Sequence, residues 1–202
     1  MPISFAVYQM RNAQQHDLIV SLYTDLNDPD AFCSGYIEQV NPRHVLLAAL
    51  TPWGFRDGWL LWRVSDVQQV YTGDEYETRL ELLVKLHNQD HEPMIPQPTT
   101  RETDLSHWLL EWARREQRTV SLLTADETYT GRIVALDDLR VTMDAFDFFG
   151  RVMRQPTVLP LRDVESVTLD TEEERMYDLL FEASDTTEPP PPSWWNSDKE
   201  PT

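Results

Sequence analysis

The chain has 202 residues, of which 41% are hydrophobic and 26% charged. That length allows one large domain or two small ones, and the composition is that of a globular protein with a solvated surface. Seventeen Lys and Arg face 35 Asp and Glu, a formal charge of −18. So acidic a surface repels phosphate backbones and anionic membranes unless a local basic patch prevails, so DNA is not an expected partner. No apolar run is long enough to span a bilayer. A single cysteine, Cys33, excludes an internal disulfide and any multi-cysteine metal centre. Residues 1–12 lack the charged start and apolar core of a secretory leader, and a cytoplasmic setting is the expectation.

In chain order, residues 3–15 are ambiguous between helix and irregular structure. Strands are expected near 18–24, 35–41, 43–50, 58–64 and 67–71, then a helix over 75–87. Residues 87–100 are rich in proline and poor in apolar side chains, which reads as a linker. Thr103 or Asp104 caps a second helical pattern whose apolar stripe is Leu105, Trp108, Leu109 and Trp112. Arg114, Arg115 and Arg118 follow where the helix dipole favours cations. Strands are expected over 119–124, 131–136, 139–145, 157–161 and 164–169. In the third of these Val141, Met143 and Ala145 alternate with Arg140, Thr142 and Asp144, which sets one buried and one wet face. Thr171 and Glu174 have capping-box spacing. The helix they open should bury Met176, Leu179, Leu180 and Ala183. Residues 184–202 are proline-rich without periodicity and read as an acidic disordered tail, in which Trp194 and Trp195 are candidate partner anchors.

The two halves repeat. Val20-Ser21-Leu22-Tyr23-Thr24 corresponds to Val120-Ser121-Leu122-Leu123-Thr124. Gly35 and Ile37 align with Gly131 and Ile133, Val45 with Val141, Ala49 with Ala145, and Gly54 with Gly150. Asp66, Val67 and Val70 align with Asp163, Val164 and Val167, and Leu82-Leu83 with Leu179-Leu180. Gaps fall only in expected loops. The organisation read from this is a first unit over 1–86, a linker over 87–100, a second unit over 101–183 and a tail over 184–202. The class is mainly β with flanking helices (α+β). Five short strands per unit favour a small curled barrel, each followed by a helix, with the glycines at 35 and 131 bending the second strand.

The pattern V-S-L-x-T, then G-x-I, then the Val45 and Val141 strands, then D-V-x-x-V resembles the Sm-like (Lsm and Hfq) family of small β-barrels. It also resembles uncharacterised bacterial proteins with such a barrel, through residues 50–59, Asp66 to Tyr71, Gly73 and Tyr76. The resemblance covers 18–84 and 104–182. It implies tandem five-stranded barrels, RNA binding, and assembly through the fourth and fifth strands. The turns that carry RNA contacts in that family read differently here: Asn41 to His44 and Asp137 to Arg140 between strands two and three, Ser65-Asp66 and Arg162-Asp163 between strands four and five. Pro160 lies in an expected fourth strand and blunts that edge. Pairing of the two units within one chain is then more economical than a ring. A monomer with paired barrels or a small homo-oligomer is expected.

Chemistry-bearing groups are sparse. His87 and His91 sit four apart but run into prolines with no third ligand, so no metal site is expected. Cys33 with His16 or His44 lacks an activating context. Asp137-Asp138 and Asp28/Asp30 suit turns better than acid–base work. No phosphate loop, nucleophile elbow or zinc helix occurs, and neither catalytic residues nor cofactors are expected. Aromatics and arginines cluster at Phe146, Phe148, Phe149, Arg151 and Arg154, with Arg132 and Arg140 as neighbours; such a set can stack bases and meet phosphates. The first half offers Trp53, Phe55, Arg56 and Trp59 at the same place, and repetition there argues for packing; Trp53 and Trp59 are separately candidate partner anchors. The resulting expectation is a non-enzymatic binding or scaffold protein with a protein partner. The alternative is an RNA-binding regulator that uses the 146–154 loop.

Overall fold

A computed structural model describes residues 5–28, 32–89 and 104–184. The two halves repeat one order of elements. The first runs α1 (Phe5–Gln15), β1 (Ile19–Tyr23), β2 (Phe32–Val40), β3 (His44–Leu50), β4 (Arg56–Arg63), β5 (Gln69–Thr72) and α2 (Glu75–Leu86). The second runs α3 (Leu105–Arg115), β6 (Thr119–Leu123), β7 (Thr128–Leu136), β8 (Arg140–Ala145), β9 (Thr157–Pro160), β10 (Ser166–Leu169) and α4 (Glu172–Ser184). The ambiguous segment at the start is therefore helical. No helix among the described residues is long and apolar enough to cross a membrane.

All strands join one antiparallel ten-stranded sheet in the order β5-β1-β2-β3-β4-β10-β6-β7-β8-β9. This corrects the expectation of two closed barrels: the sheet is not closed. Each half keeps the internal order fifth, first, second, third, fourth. Instead of turning back onto β5, the outer edge of β4 pairs with β10, Leu61 opposite Val167 and Trp59 opposite Leu169. β5 and β9 remain as the outer edges.

Strand periodicity explains the layers. In β1, Val20 and Leu22 pack with Val7, Met10 and Ala13 of α1. Ile19, on the opposite face, packs with Leu80 and Val84 of α2. A strand covered on both faces is buried on both, and β1 and β6 are buried over their first four residues. The helices end alike. Leu18 N–H bonds to Ala13 O at 3.0 Å and Arg118 N–H to Ala113 O at 2.9 Å. Asp17 and Gln117 hold the left-handed conformation just before them. Asp104 caps α3 as expected, its side chain accepting from the Ser106 and His107 amides at 3.0 and 3.2 Å.

Gly35 and Gly131 are required by close approach. A Cβ on either would lie 2.0 Å from Ala48 O or 2.2 Å from Asp144 O. The neighbouring strand leans over the second strand there, which curls each half. Gly58 has the same role at the junction, where a Cβ would meet Leu169 O at 2.2 Å.

The α4 face differs from the expected one. Met176 and Leu179 are exposed, while Glu174 is buried and Tyr177, Asp178 and Phe181 are half-buried. The hydroxyls of Ser121, Thr168 and Thr171 bond the Glu174 carboxylate, and this anchoring sets the rotation of the helix. Polar satisfaction overrides the apolar stripe because an unbonded buried carboxylate is costly.

Leu46, Trp59 and Leu61 from the first half belong to the same core as Leu109, Leu122, Val141, Met143 and Leu169 from the second. Trp108 and Trp112 pack against that shared core. Asp57 accepts from the Glu172 amide at 2.9 Å, and the Arg63 guanidinium donates to the carbonyls of Arg162 and Val164. The halves should therefore unfold together. Trp59→Ala is expected to cost about 3–5 kcal/mol in urea denaturation. Both halves of the parent chain should melt in one coincident transition by fluorescence and far-ultraviolet dichroism. Two separated transitions would show that the shared core does not couple them.

Candidate functional site

Of the aromatic and arginine residues singled out in the second half, Phe146, Phe148, Phe149, Arg151 and Arg154 lie on a tight loop between β8 and β9, while Arg132 stands in β7 and Arg140 begins β8. Asp147 organises the loop. One carboxylate oxygen accepts from the Phe149 and Arg151 amides at 2.9 and 3.0 Å, and the other from Arg151 Nε at 3.0 Å. Burial would raise the Asp147 pKa, but these bonds outweigh it and hold the carboxyl below its usual range. Gly150 N–H closes the turn onto Asp147 O at 2.9 Å. The first half builds the same turn with a hydroxyl: Thr51 Oγ1 accepts from the Phe55 amide at 3.1 Å, and Gly54 N–H bonds to Thr51 O at 2.9 Å. Both glycines hold positive φ and press on the following helix, Gly54 on Leu83 and Gly150 on Leu180. The repeat thus extends to turns whose side-chain chemistry differs.

The arginines do not converge. Arg151 pairs with Asp147 at 2.8 Å and lies 5.2 Å over the Phe149 ring. Arg132 pairs with Asp178 at 2.9 Å and lies 4.4 Å over Phe181. Arg140 turns to Asp137 at 3.8 Å, and Arg154 is exposed. Three of the four therefore face a carboxylate of this chain, which offsets part of the charge a phosphate would meet.

The aromatics separate into two sets. Phe146 is buried and stacks on Phe181 at 5.4 Å. Phe148 is 82% exposed, and Phe149, Val152 and Met153 are exposed beside it. Behind the loop lies a hollow of about 350 Å³ lined by Arg114, Arg132, Phe146, Val152 and Phe181 among others. In the first half Trp53 is exposed, and Phe55 stacks on His87 at 4.1 Å. Trp59, expected as a partner anchor, is 3% exposed in the shared core. Its strand position faces α3, so it holds the halves together and reaches no partner. Trp194 and Trp195 lie outside the described residues, as do His91 and Asp30.

The remaining candidates are ordinary structure. Asp137 accepts from the Leu139 and Arg140 amides, both at 2.8 Å, and these bonds lower its pKa. It serves the turn. His87 Nε2–H donates to Trp53 O, 3.1 Å away. Among the described residues no three His, Cys, Asp or Glu groups converge as a metal site would require.

What sequence reasoning missed is a buried polar cluster in each half. Ser21 shares a 2.7 Å bond with Ser34 and donates to Glu77. Ser121 shares a 2.9 Å bond with Thr130 and donates to Glu174 at 2.5 Å. The signal was present in the serine of each V-S-L strand and a glutamate at the same offset in each following helix.

Comparison with known family models, curated proteins and solved structures finds no match to this chain. Chemistry is thus read from the residues alone, and Cys33 gives a direct check. Burial pushes its thiol up to about 11, so only about one thousandth is thiolate at pH 8, and the thiolate is the nucleophile. Iodoacetamide at pH 8 should label the folded chain at least ~100-fold more slowly than the urea-unfolded chain. Equal rates would restore Cys33 as a candidate nucleophile.

Proposed function

We propose that this chain is a non-enzymatic binding or scaffold protein that docks a protein partner, built on two duplicated Sm-like units. The exposed apolar tip at Phe148, Phe149, Val152 and Met153 carries the docking part of the reading. Clustered exposed aromatic and methionine side chains on a turn braced by Asp147 are suited to a protein contact. The chain's net charge of −18 favours a partner with a basic rim and an apolar centre.

The strand order of each half, with a helix before the first strand and a bulged second hairpin, supports the Sm-like reading. So does the pairing of a fourth with a fifth strand between the units. On this reading the two units use within one chain the contact that would otherwise join separate copies. Pairing of Arg151, Arg132 and Arg140 with acids of the chain weighs against the RNA alternative.

Two measurements test the proposal. Fluorescence anisotropy with a labelled single-stranded RNA should show no saturable binding even at low salt. Saturable binding that weakens with salt and is lost in Arg151→Ala/Arg154→Ala would overturn it in favour of RNA. A protein retained by the parent chain should be lost on Phe148→Asp/Met153→Asp, a surface change expected to leave stability within about 0.5 kcal/mol. Retention by that variant would remove the loop from the interface.

A further inference from the structure

A pocket of about 270 Å³ opens in the first half, lined by Tyr23, Leu26, Tyr71, Asp74, Tyr76 and Glu77. It lies at the β5 end of the sheet, away from the 146–154 loop, and its reading is independent of the docking proposal. Its rings are set at steep angles. Tyr71 meets Tyr23 edge-on at 5.3 Å and 73°. Phe32 lies nearly parallel to Tyr23, 17° off at 4.8 Å, and meets Tyr76 at 83°. Tyr71 and Tyr76 therefore both stand steeply to Tyr23, as walls around a common space. Two acids complete the lining, and no basic residue belongs to it. Arg79 lies 5.8 Å over Tyr76, but its guanidinium is held by Pro52 O at 3.0 Å.

Glu77 is the decisive residue. It is 4% exposed. Its Oε1 accepts from the Ser21 hydroxyl, and its Oε2 has no partner. A buried carboxylate oxygen left unbonded is costly. The second half shows what such a site looks like when the chain satisfies it. There Thr168 Oγ1 donates to Glu174 Oε1 at 2.6 Å. The Thr171 amide and hydroxyl donate to Oε2 at 2.8 and 2.5 Å. Ladder register places Tyr71 opposite Ser21 as Thr168 is opposite Ser121. The first half thus carries Tyr71 for Thr168, Asp74 for Thr171, and Tyr23 for Leu123. Each change removes a hydroxyl donor to the glutamate or adds an aromatic ring, and one adds a second carboxylate. The Asp74 side chain makes no capping bond to α2.

We propose that this pocket binds an alkylammonium group, with Glu77 and Asp74 as its counter-charges and Tyr23, Tyr71 and Tyr76 as an aromatic cage. An ammonium supplies the N–H donors that Glu77 lacks. Methylated or not, it is attracted to the faces of surrounding rings. The overall negative charge raises the local concentration of cations at the mouth. The same chemistry can arrive on a lysine side chain or as a free methylated amine.

The test is a titration of the full chain followed by ¹H–¹⁵N correlation spectra. The two probes are Nα-acetyl-lysine amide and trimethylammonium chloride, which keeps one N–H donor, with sodium chloride as the ionic-strength control. Saturable shifts centred on Tyr71, Asp74 and Glu77 are expected. Tighter binding of the lysine amide would identify a protein side chain as the source, and tighter binding of trimethylammonium a free methylated amine. Glu77→Gln and Tyr71→Thr should each weaken binding by about tenfold or more. Glu174→Gln, in the half without a cage, should leave it unchanged. Asp74→Asn, at the exposed mouth, serves as the charge variant should Glu77→Gln fail to fold, and is expected to weaken binding several-fold. Absence of saturable shifts beyond those of sodium chloride would overturn the proposal. So would affinity unchanged in Tyr71→Thr and in the folded charge variant.

Discussion

The structure depends on one ladder, β4 against β10. Each half alone is a curled five-stranded piece with an open fourth and an open fifth edge. Units of that size bury too little surface to be secure by themselves. Joining β4 to β10 removes two of the four edges and brings Trp59, Leu46 and Leu61 into the core of the second half. Gly58 makes the approach sterically feasible. Asp57 and Arg63 then bond backbone groups across the same seam. A hydrophobic side chain, a missing Cβ and two charged side chains thus act at one place. The duplicated halves are consequently not interchangeable: the first presents β5 as a free edge, and the second presents β9, which ends at Pro160.

Much of this was legible in the sequence. The strands and the three later helices followed from apolar periodicity, whereas α1 did not, and Asp104 behaved as its type and position require. The alignment of Gly35 with Gly131 and of Gly54 with Gly150 identified pairs with matched roles. Two features were not legible. Strand order across the seam depends on which edge β4 chooses, and periodicity within a strand carries no information about its neighbour. Closed barrels were therefore expected where a continuous sheet stands. The inward face of α4 was also misread: Glu174 closes the capping box on the Thr171 amide as expected, but the same carboxylate is also buried at the centre of three hydroxyls. Periodicity treats a glutamate as surface, whereas the bonded network makes it core.

The candidate sites show the same division. A list of aromatic and basic residues in 146–154 suggested stacking and phosphate contact. The folded loop pairs Arg151 with the very aspartate that shapes the turn. Sequence proximity of unlike charges was visible, but not that one carboxylate would serve both backbone and guanidinium. Trp59 likewise has the composition of a hot-spot residue and the position of a core residue. Position prevails, because Trp59 is already buried in the core that the two halves share and has almost no surface left to offer.

Repetition within one chain supplies an internal comparison that a single domain lacks. Both halves place a serine on the face of the first strand that meets the following helix, and both bury a glutamate against it. In the second half four donor groups surround that glutamate. In the first only the Ser21 hydroxyl does, and the positions of the missing donors hold Tyr71 and Asp74. A scaffold that can satisfy a buried carboxylate at Glu174 has the geometry to satisfy one at Glu77. Two of the three missing donors are side-chain hydroxyls removed by residue choice, and the third is a backbone amide that Glu174 engages and Glu77 does not. Unsatisfied polarity, aromatic walls and a second acid coincide in the same few positions, and the fold needs none of them, since the other half is built without them. Features dispensable to folding and convergent on one opening are what a binding pocket contributes to a structure.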